Sequence, residues 1–390
     1  MKKIGIFGGS FDPVHKEHVA LARAAVESLG LDALYIVPAK TPPHKTYKNL
    51  LSDGDRLAMC RLAFAGVKNC VVSDYEIARG DTSYTYLTCR HFKSRFENEQ
   101  LFWLVGTDML RDFPTWKNPE SILADVTLAV CARAENGEWI EREQEKFYAR
   151  FQKRFAVIGY NGADISATKI RVLAGAGMEI NAYTPESVAA YIQEKGLYAI
   201  PNAKEALSLL KTQRVEHTLR VAEAAASRAG GLHIPEKQAI TAALFHDCAK
   251  YIETDDSRLQ GFVLPSEWGN VPKSVVHQFT GAYLAEHAFN VTDDEVLDAI
   301  RYHTSGKKNM SLLTKLIFLA DMVESGRDFD GVEHLRTLFW GNDSSIPIEK
   351  RLDACLREAL AHTVQYLQSS GKTVYPLTLQ AKEYYEQERR

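Results

Sequence analysis

Gly8-Gly9-Ser10-Phe11-Asp12-Pro13-Val14-His15-Lys16-Glu17-His18 follows an apolar run at residues 3–7 and precedes a helical pattern at 18–29. Its placement says more than its glycines do. Strand, glycine-bearing turn and helix, in that order, open a βα unit whose helix offers free N–H groups and a positive dipole end to an anion. Gly8 and Gly9 let the backbone come close to a phosphate. His15 and His18 stand at i and i+3 around the helix start. They can point into one pocket, hydrogen-bond a polyphosphate and stabilise charge at a reacting phosphorus.

Working outward, short apolar runs recur at 3–7, 33–37, 71–73, 101–105, 126–131 and 156–158, with helical stretches such as 18–29 and 52–65 between them. Runs of this length suit buried strands, and their alternation with helices predicts a doubly wound α/β domain on a mainly parallel sheet. Ligands then bind at the carboxyl ends of the strands, where residues 8–18 fall. Beyond about residue 200 the pattern changes. Residues 206–229, 236–250, 275–288, 293–303, 311–321 and 347–369 read as amphipathic helices, so an all-α domain is expected to follow the first. Pro201 disfavours a helix running through it, which places the break near Ala199-Ile200-Pro201-Asn202. The expected division is 1–198, a linker at 199–203, and 204–390, with the charged close at 384–390 expected to fray.

Composition narrows the class of protein. A length of 390 residues favours two or three domains, and a hydrophobic share of 45% is ordinary for packed cores. A net charge of -3 gives no bulk electrostatic case for nucleic acid or an anionic membrane as partner. The longest apolar stretches, such as 312–320, are too short to span a bilayer, and the opening reads as a strand, not a signal peptide. Cys60, Cys70, Cys89, Cys131, Cys248 and Cys355 are scattered without a C-x-x-C pair, as in a reducing cytosol. A cytoplasmic protein is expected, with homo-oligomerisation left open.

Residues 8–18 match the G-G-S-F-D-P-x-H-x-x-H motif of adenylyltransferases. The first half resembles bacterial nicotinate mononucleotide adenylyltransferase over residues 1–198, through Pro42-Pro43-His44-Lys45, Ser83-Tyr84-Thr85, Gly106-Thr107-Asp108-Met109-Leu110, Trp116 and Ile165-Ser166-Ala167-Thr168-Lys169-Ile170-Arg171. The resemblance implies adenylyl transfer from ATP to nicotinate mononucleotide, assisted by Mg²⁺. On it His15 and His18 contact the ATP phosphates, Ser166, Thr168 and Arg171 hold the triphosphate, and Lys45 approaches it. Thr85 and Trp116 form the nicotinate pocket and Asp108 binds ribose. Gly8, Gly9, Ser10, Phe11, His44, Gly106 and Ile165 are further substrate positions. Glu17 stands where the family usually has Gly, Ala167 where it usually has Ser, and Tyr86-Leu87-Thr88 departs from the usual acidic continuation. A phosphopantetheine adenylyltransferase, which usually has Thr at the His15 position, is the nearest competitor.

In the second half, His217, His246-Asp247, His277, His303 and Asp321 form an ordered series of nitrogen and oxygen donors. A lone His or Asp on an apolar helix is ordinarily a core residue, but such a series without thiolates suits a two-metal centre and favours iron or manganese. This is the H…HD…H…H…D arrangement of the HD superfamily. Glu216-His217-Thr218, Phe245-His246-Asp247-Cys248-Ala249-Lys250, Ile300-Arg301-Tyr302-His303-Thr304 and Gly326-Arg327-Asp328-Phe329 resemble bacterial symmetrical diadenosine tetraphosphate hydrolases over about 203–380. The resemblance implies ADP as product. It puts His217, His246, Asp247 and Asp321 on one metal, His277 and His303 on a second with Asp247 bridging, and Lys250 and Arg327 on phosphates. Ser325 follows Glu324 where that group often has Pro. His91, His233, His287, His334 and His362 read as surface or packing residues, and Lys307-Lys308 as a solvated loop. Two alternatives remain for this half: a nucleotide-binding regulatory module, or a hydrolase of another phosphoester.

Overall fold

The computed structural model describes residues 1–42, 50–132, 137–160, 162–163, 165–341 and 345–387. They divide into two compact units. One runs to Ile170 and resumes over Ile180–Leu197; the other holds Arg171–Glu179 and the described residues from Tyr198 onward.

The first unit is built on six parallel strands: β1 (Lys3–Gly9), β2 (Ala33–Pro38), β3 (Cys70–Val72), β4 (Gln100–Gly106), β5 (Thr127–Ala132) and β6 (Ala156–Gly159). Their order in the sheet is β3-β2-β1-β4-β5-β6. The chain winds outward from β1 to β3, returns to β4 beside β1, and winds outward again. This is the doubly wound α/β fold expected from the sequence, and each expected run overlaps one of these strands. β1 pairs with β2 on one side (Gly8 opposite Val37) and with β4 on the other (Ile6 opposite Trp103). The connections diverge between β1 and β4, leaving a crevice at their carboxyl ends. Ile4, Ile6, Leu101, Trp103, Leu128 and Val130 are buried, which is why these strands read as unbroken apolar runs.

The second unit is helical, as expected. One buried cluster joins Val221, Phe245, Ile300, Leu316, Leu319 and Leu356, and it extends to Val172, Ala176, Ile200 and Ala203. Several boundaries differ from the periodicity. The stretch 206–229 is two helices, Ala203–Ser208 and Thr212–Ala229. The stretch 236–250 ends as a helix at Phe245. Bonds from Cys248 N–H to Phe245 O (3.1 Å) and from Lys250 N–H to Asp247 O (2.8 Å) then tighten the chain into turns. His246-Asp247 therefore lies just past a helix end and not inside the helix. The expected frayed close is corrected over 384–387, while 388–390 lie outside the described residues. Pro376–Gln387 is a helix, and Tyr385, 1% exposed, accepts a hydrogen bond from Met310 N–H. The buried Tyr385 anchors a segment whose charge suggested a loose tail. Among the described residues no helix is long and apolar enough to cross a membrane.

Candidate active sites

At the carboxyl ends of the central strands a cavity of about 470 Å³ is lined by Gly8, Gly9 and Ser10 from the end of β1, with Thr85, Trp103 and Trp116 on its walls and His18 facing in. The two glycines differ in purpose. A Cβ on Gly8 would meet the Trp103 indole at 2.7 and 2.8 Å, so the missing side chain makes room for that wall. At Gly9 the neighbour is the Phe11 ring, 3.1 Å away. Phe11, 1% exposed, supports the site from beneath and packs edge-on against His18 at 5.0 Å.

His15 caps helix Lys16–Leu29, and the His15 and His18 rings stack at 3.7 Å. The His15 backbone N–H donates to His18 Nδ1 at 3.2 Å, so a neutral His18 carries its proton on Nε2. Burial pushes His15 down to about 4, so it is neutral near pH 7 and meets an anion as a hydrogen-bonding ring.

The structure thus brings together Gly8, Gly9, Ser10, Phe11, His15, His18, Thr85 and Trp116. Other expected positions lie elsewhere. Gly106 ends β4, and the Asp108 side chain is 94% exposed, 4.0 Å from Arg111; neither lines the cavity. Ile165 and Thr168 are half-buried and also off its lining. Ser166 Oγ accepts the Lys169 N–H at 3.1 Å and so caps its own helix. Arg171 belongs to the second unit, where its guanidinium forks onto Glu236, with Nη2 donating to Oε2 at 2.9 Å. A bidentate carboxylate already occupies the expected phosphate-binding face of that side chain. His44 and Lys45 lie outside the described residues.

Two residues here escaped sequence reasoning. Arg56 is fully buried and donates to Ser10 O (2.9 Å), Leu51 O (3.2 Å) and Asp53 Oδ1 (2.7 Å), clamping the glycine-bearing turn. Glu17 Oε2 accepts the Ala163 N–H at 2.9 Å, tying the segment before Ser166 to the start of the first helix. One arginine in an amphipathic stretch carries no sequence signal, although Glu17 stood out as a departure from its family.

In the helical unit the six expected donors converge. Three groups have ligand atoms within 4.8 Å of one another: His217, His246 and Asp247; His246, His303 and Asp321; Asp247, His277 and His303. Each shares a member with the others, so they form one continuous cluster, with no thiolate among them. His217 Nε2, His246 Nε2 and Asp247 Oδ1 are buried without a hydrogen-bond partner, although His217 Nε2 lies 3.0 Å from Asp321 Oδ1 and Asp247 Oδ1 lies 3.2 Å from His277 Nε2. Buried polar atoms packed this closely without hydrogen bonding are costly unless a cation joins them. The donor set fits divalent metal.

The electrostatics agree with that fit. Burial alone would raise Asp247, but His246, His277 and His303 hold it well below the usual carboxylate range. Asp321, whose side chain is 18% exposed, is likewise held down against its burial by His217, Arg327 and His246. Burial pushes His277 down to about 4 and lowers His303, keeping both rings neutral as ligation requires. His246 Nδ1 and His303 Nδ1 face the carbonyls of Ala243 (2.6 Å) and Ile300 (2.8 Å), which turns each Nε2 toward the cluster.

Lys250 Nζ sits 3.0 Å from His277 Nε2 and 3.6 Å from Asp247 Oδ1, and Arg327 Nε donates to the Asp321 backbone carbonyl at 2.7 Å while its Nη2 pairs with the Asp321 carboxylate. Both expected phosphate contacts therefore border the cluster. Sequence reasoning missed Arg214, whose Nη1 donates to Asp247 Oδ2 at 3.0 Å. It also passed over Glu324, 2% exposed, which accepts from His217 Nδ1 (3.0 Å), Arg220 Nε (2.6 Å) and Gly326 N–H (2.6 Å).

A doubly wound sheet with a glycine-and-histidine turn, followed by a helical unit with an HD cluster, defines a nucleotidyltransferase domain joined to an HD domain. Family models agree: residues 6–173 match the cytidylyltransferase-like family and residues 214–326 the HD domain. Similar proteins include two named "Probable nicotinate-nucleotide adenylyltransferase/Ap4A hydrolase". That of Mycoplasma genitalium is 29% identical over 95% of this chain and 99% of its own. That of Mycoplasma pneumoniae is 30% identical over 83% of this chain and 88% of its own. A "Probable nicotinate-nucleotide adenylyltransferase" of Gloeobacter violaceus is 36% identical over 51% of this chain and 98% of its own. The chain belongs to the family of fused nicotinate-nucleotide adenylyltransferase/Ap4A hydrolase proteins.

Proposed function

We propose that the chain is bifunctional, with residues 1–198 transferring adenylyl from ATP to nicotinate mononucleotide and residues 204–390 splitting diadenosine tetraphosphate into two ADP. The observations that support this most are the stacked His15 and His18 at the first cavity and the six converging nitrogen and oxygen donors of the second unit, five of them buried and Asp321 part-buried. A regulatory module has no need of such a cluster.

In the first half, the mononucleotide phosphate attacks the ATP α-phosphorus in line, the α–β anhydride bond breaks and pyrophosphate leaves, with Mg²⁺ arriving as part of the nucleotide. His18, fixed by the His15 backbone and the Phe11 ring, donates from Nε2 to a phosphate oxygen. Trp116, backed by Phe113 at 5.3 Å, stacks on the nicotinate ring beside Thr85.

In the second half, His217, His246, Asp247 and Asp321 would hold one divalent ion and His277 with His303 a second across Asp247, iron or manganese being favoured by the donor set. Such ions supply an acidified water and Lewis acidity toward a phosphoryl oxygen. Lys250 and Arg327 orient the polyphosphate chain and balance its charge.

The test uses purified full-length chain. It should form the dinucleotide from ATP and nicotinate mononucleotide, and His18→Ala should remove that activity alone. With iron or manganese supplied it should release ADP from diadenosine tetraphosphate, and His246→Ala should remove that alone. Binding without cleavage in the wild type would leave the regulatory alternative, and preference for nicotinamide mononucleotide would overturn the first substrate.

A further inference from the structure

A second cavity, of about 810 Å³, begins at His303 and Asp321 and extends past Arg327 to Phe329, His362 and Tyr366. We infer that Phe329, His362 and Tyr366 form a stacking platform for one nucleobase of the polyphosphate substrate, so that this site takes dinucleotides by the face of the base and not by its edge. The inference rests on the hydrolase reading for its substrate but stands on a separate set of residues.

The geometry carries it in three steps. Arg327, Asp328 and Phe329 are consecutive on one loop, with Arg327 anchored to Asp321 at the donor cluster and Phe329 further along the cavity wall. A phosphate at the guanidinium thus places the attached nucleoside toward the Phe329 ring. Next, His362 and Tyr366 stand at i and i+4 on helix Ile348–Ser369 and share one of its faces. The Phe329 and His362 rings pack at 4.7 Å between centroids, inclined by 38°, so loop and helix together make one aromatic wall. Finally, Tyr366 is 53% exposed, where a packing residue of its size would be buried. The Lys372 ammonium lies over one face of its ring, 5.2 Å from the centroid, leaving the other face for a base.

Two hydroxyls of the lining favour a π-face reader over an edge reader. Thr363 Oγ1 already donates to Ala359 O and the Tyr375 hydroxyl to Trp268 O, so these hydrogens are turned away from the cavity. Stacking is tolerant of base identity because every base has a π-face. The platform therefore accepts adenine and guanine alike, and the selectivity of this half lies in the polyphosphate.

Tyr366→Ala, His362→Ala and their double variant, made in the full chain, test this against Tyr366→Phe. The readouts are KM and kcat for diadenosine and diguanosine tetraphosphate, binding of the fluorescent ethenoadenosine diphosphate, and Mn²⁺ affinity. Loss of a stacking partner weakens base binding by roughly five- to a hundredfold. Expected is a rise of that order in KM for both dinucleotides with kcat held within about twofold, weaker ethenoadenosine binding, unchanged Mn²⁺ affinity, and recovery in Tyr366→Phe. The first unit's share of ethenoadenosine binding is common to all variants and subtracts out. A double variant with wild-type KM and ethenoadenosine affinity overturns the platform while leaving the hydrolase reading intact. A wild type that cleaves neither dinucleotide, yet loses ethenoadenosine binding in the double variant, overturns the hydrolase reading and keeps the platform. A Tyr366→Phe variant as weak as Tyr366→Ala refutes stacking as the cause.

Discussion

Glu324→Gln should lower divalent-metal affinity of the helical unit by about 10–100-fold, or roughly 1.4–2.7 kcal/mol. The reason is tautomeric. Glu324 Oε1 takes the His217 Nδ1 proton, while Oε2 takes both Arg220 Nε and the Gly326 N–H. With Nδ1 protonated, the His217 Nε2 lone pair faces His246 and Asp247, as a ligand must. Glutamine keeps the shape but replaces one oxygen with an NH₂. Turned one way, that NH₂ faces His217, and the ring must move its proton to Nε2, the wrong tautomer for binding a cation. Turned the other way, it opposes two donors at once and leaves the part-exposed Arg220 Nε and the Gly326 N–H without their acceptor. Neither orientation keeps all three bonds. Titrating the full chain with Mn²⁺ by calorimetry measures the effect directly. A Gln variant that binds Mn²⁺ as tightly as the wild type would refute the orienting role of Glu324.

Three further outcomes are expected. Gly8→Ala should drive a methyl into the Trp103 indole, destabilising the α/β unit by about 1–3 kcal/mol and raising KM for ATP, read by thermal unfolding and by steady-state kinetics. His15 takes a proton near 6.5 when unfolded but only at about 4 when folded, so the unfolded chain binds more protons between those values and stability falls as pH drops from 6.5 to 4. The loss reaches roughly 3 kcal/mol, and urea titrations across that window should show it shrink in His15→Gln. Glu236→Gln removes the carboxylate partner of buried Arg171 and should destabilise the helical unit by about 3–5 kcal/mol; an unchanged midpoint in denaturant would show the ion pair contributes nothing.

Most of the α/β unit was legible because parallel strands buried on both faces, such as 101–105 and 126–131, leave apolar runs that little else produces. The metal donors were legible for a different reason: their residue types are rare together, whatever elements carry them. Local geometry was less readable. His246-Asp247 looked like part of a helix because an apolar helix and the turns closing it share one composition. Arg56, Arg214 and Glu324 were invisible, since a charged residue that clamps a loop or orients a ligand looks in sequence like any solvated charge. His362 was read as surface or packing, because its aromatic neighbours Phe329 and Tyr366 are set beside it by the fold and not by the motif.

The interleaving of the two compact units also bears on how the gene can be divided. Because Arg171–Glu179 packs with the helical unit while Ile180–Leu197 returns to the other, no single cut separates two intact bodies. A helical fragment starting near residue 204 would lack Val172, Ala176 and Ile200 from its apolar cluster. The complementary fragment would carry Val172 and Ala176 without the partners that bury them, inviting aggregation. On the ribosome, part of the helical unit's core is made before the α/β unit is finished. That segment must wait for its partners, so the two bodies are partly braided in the order of synthesis as well as fused end to end.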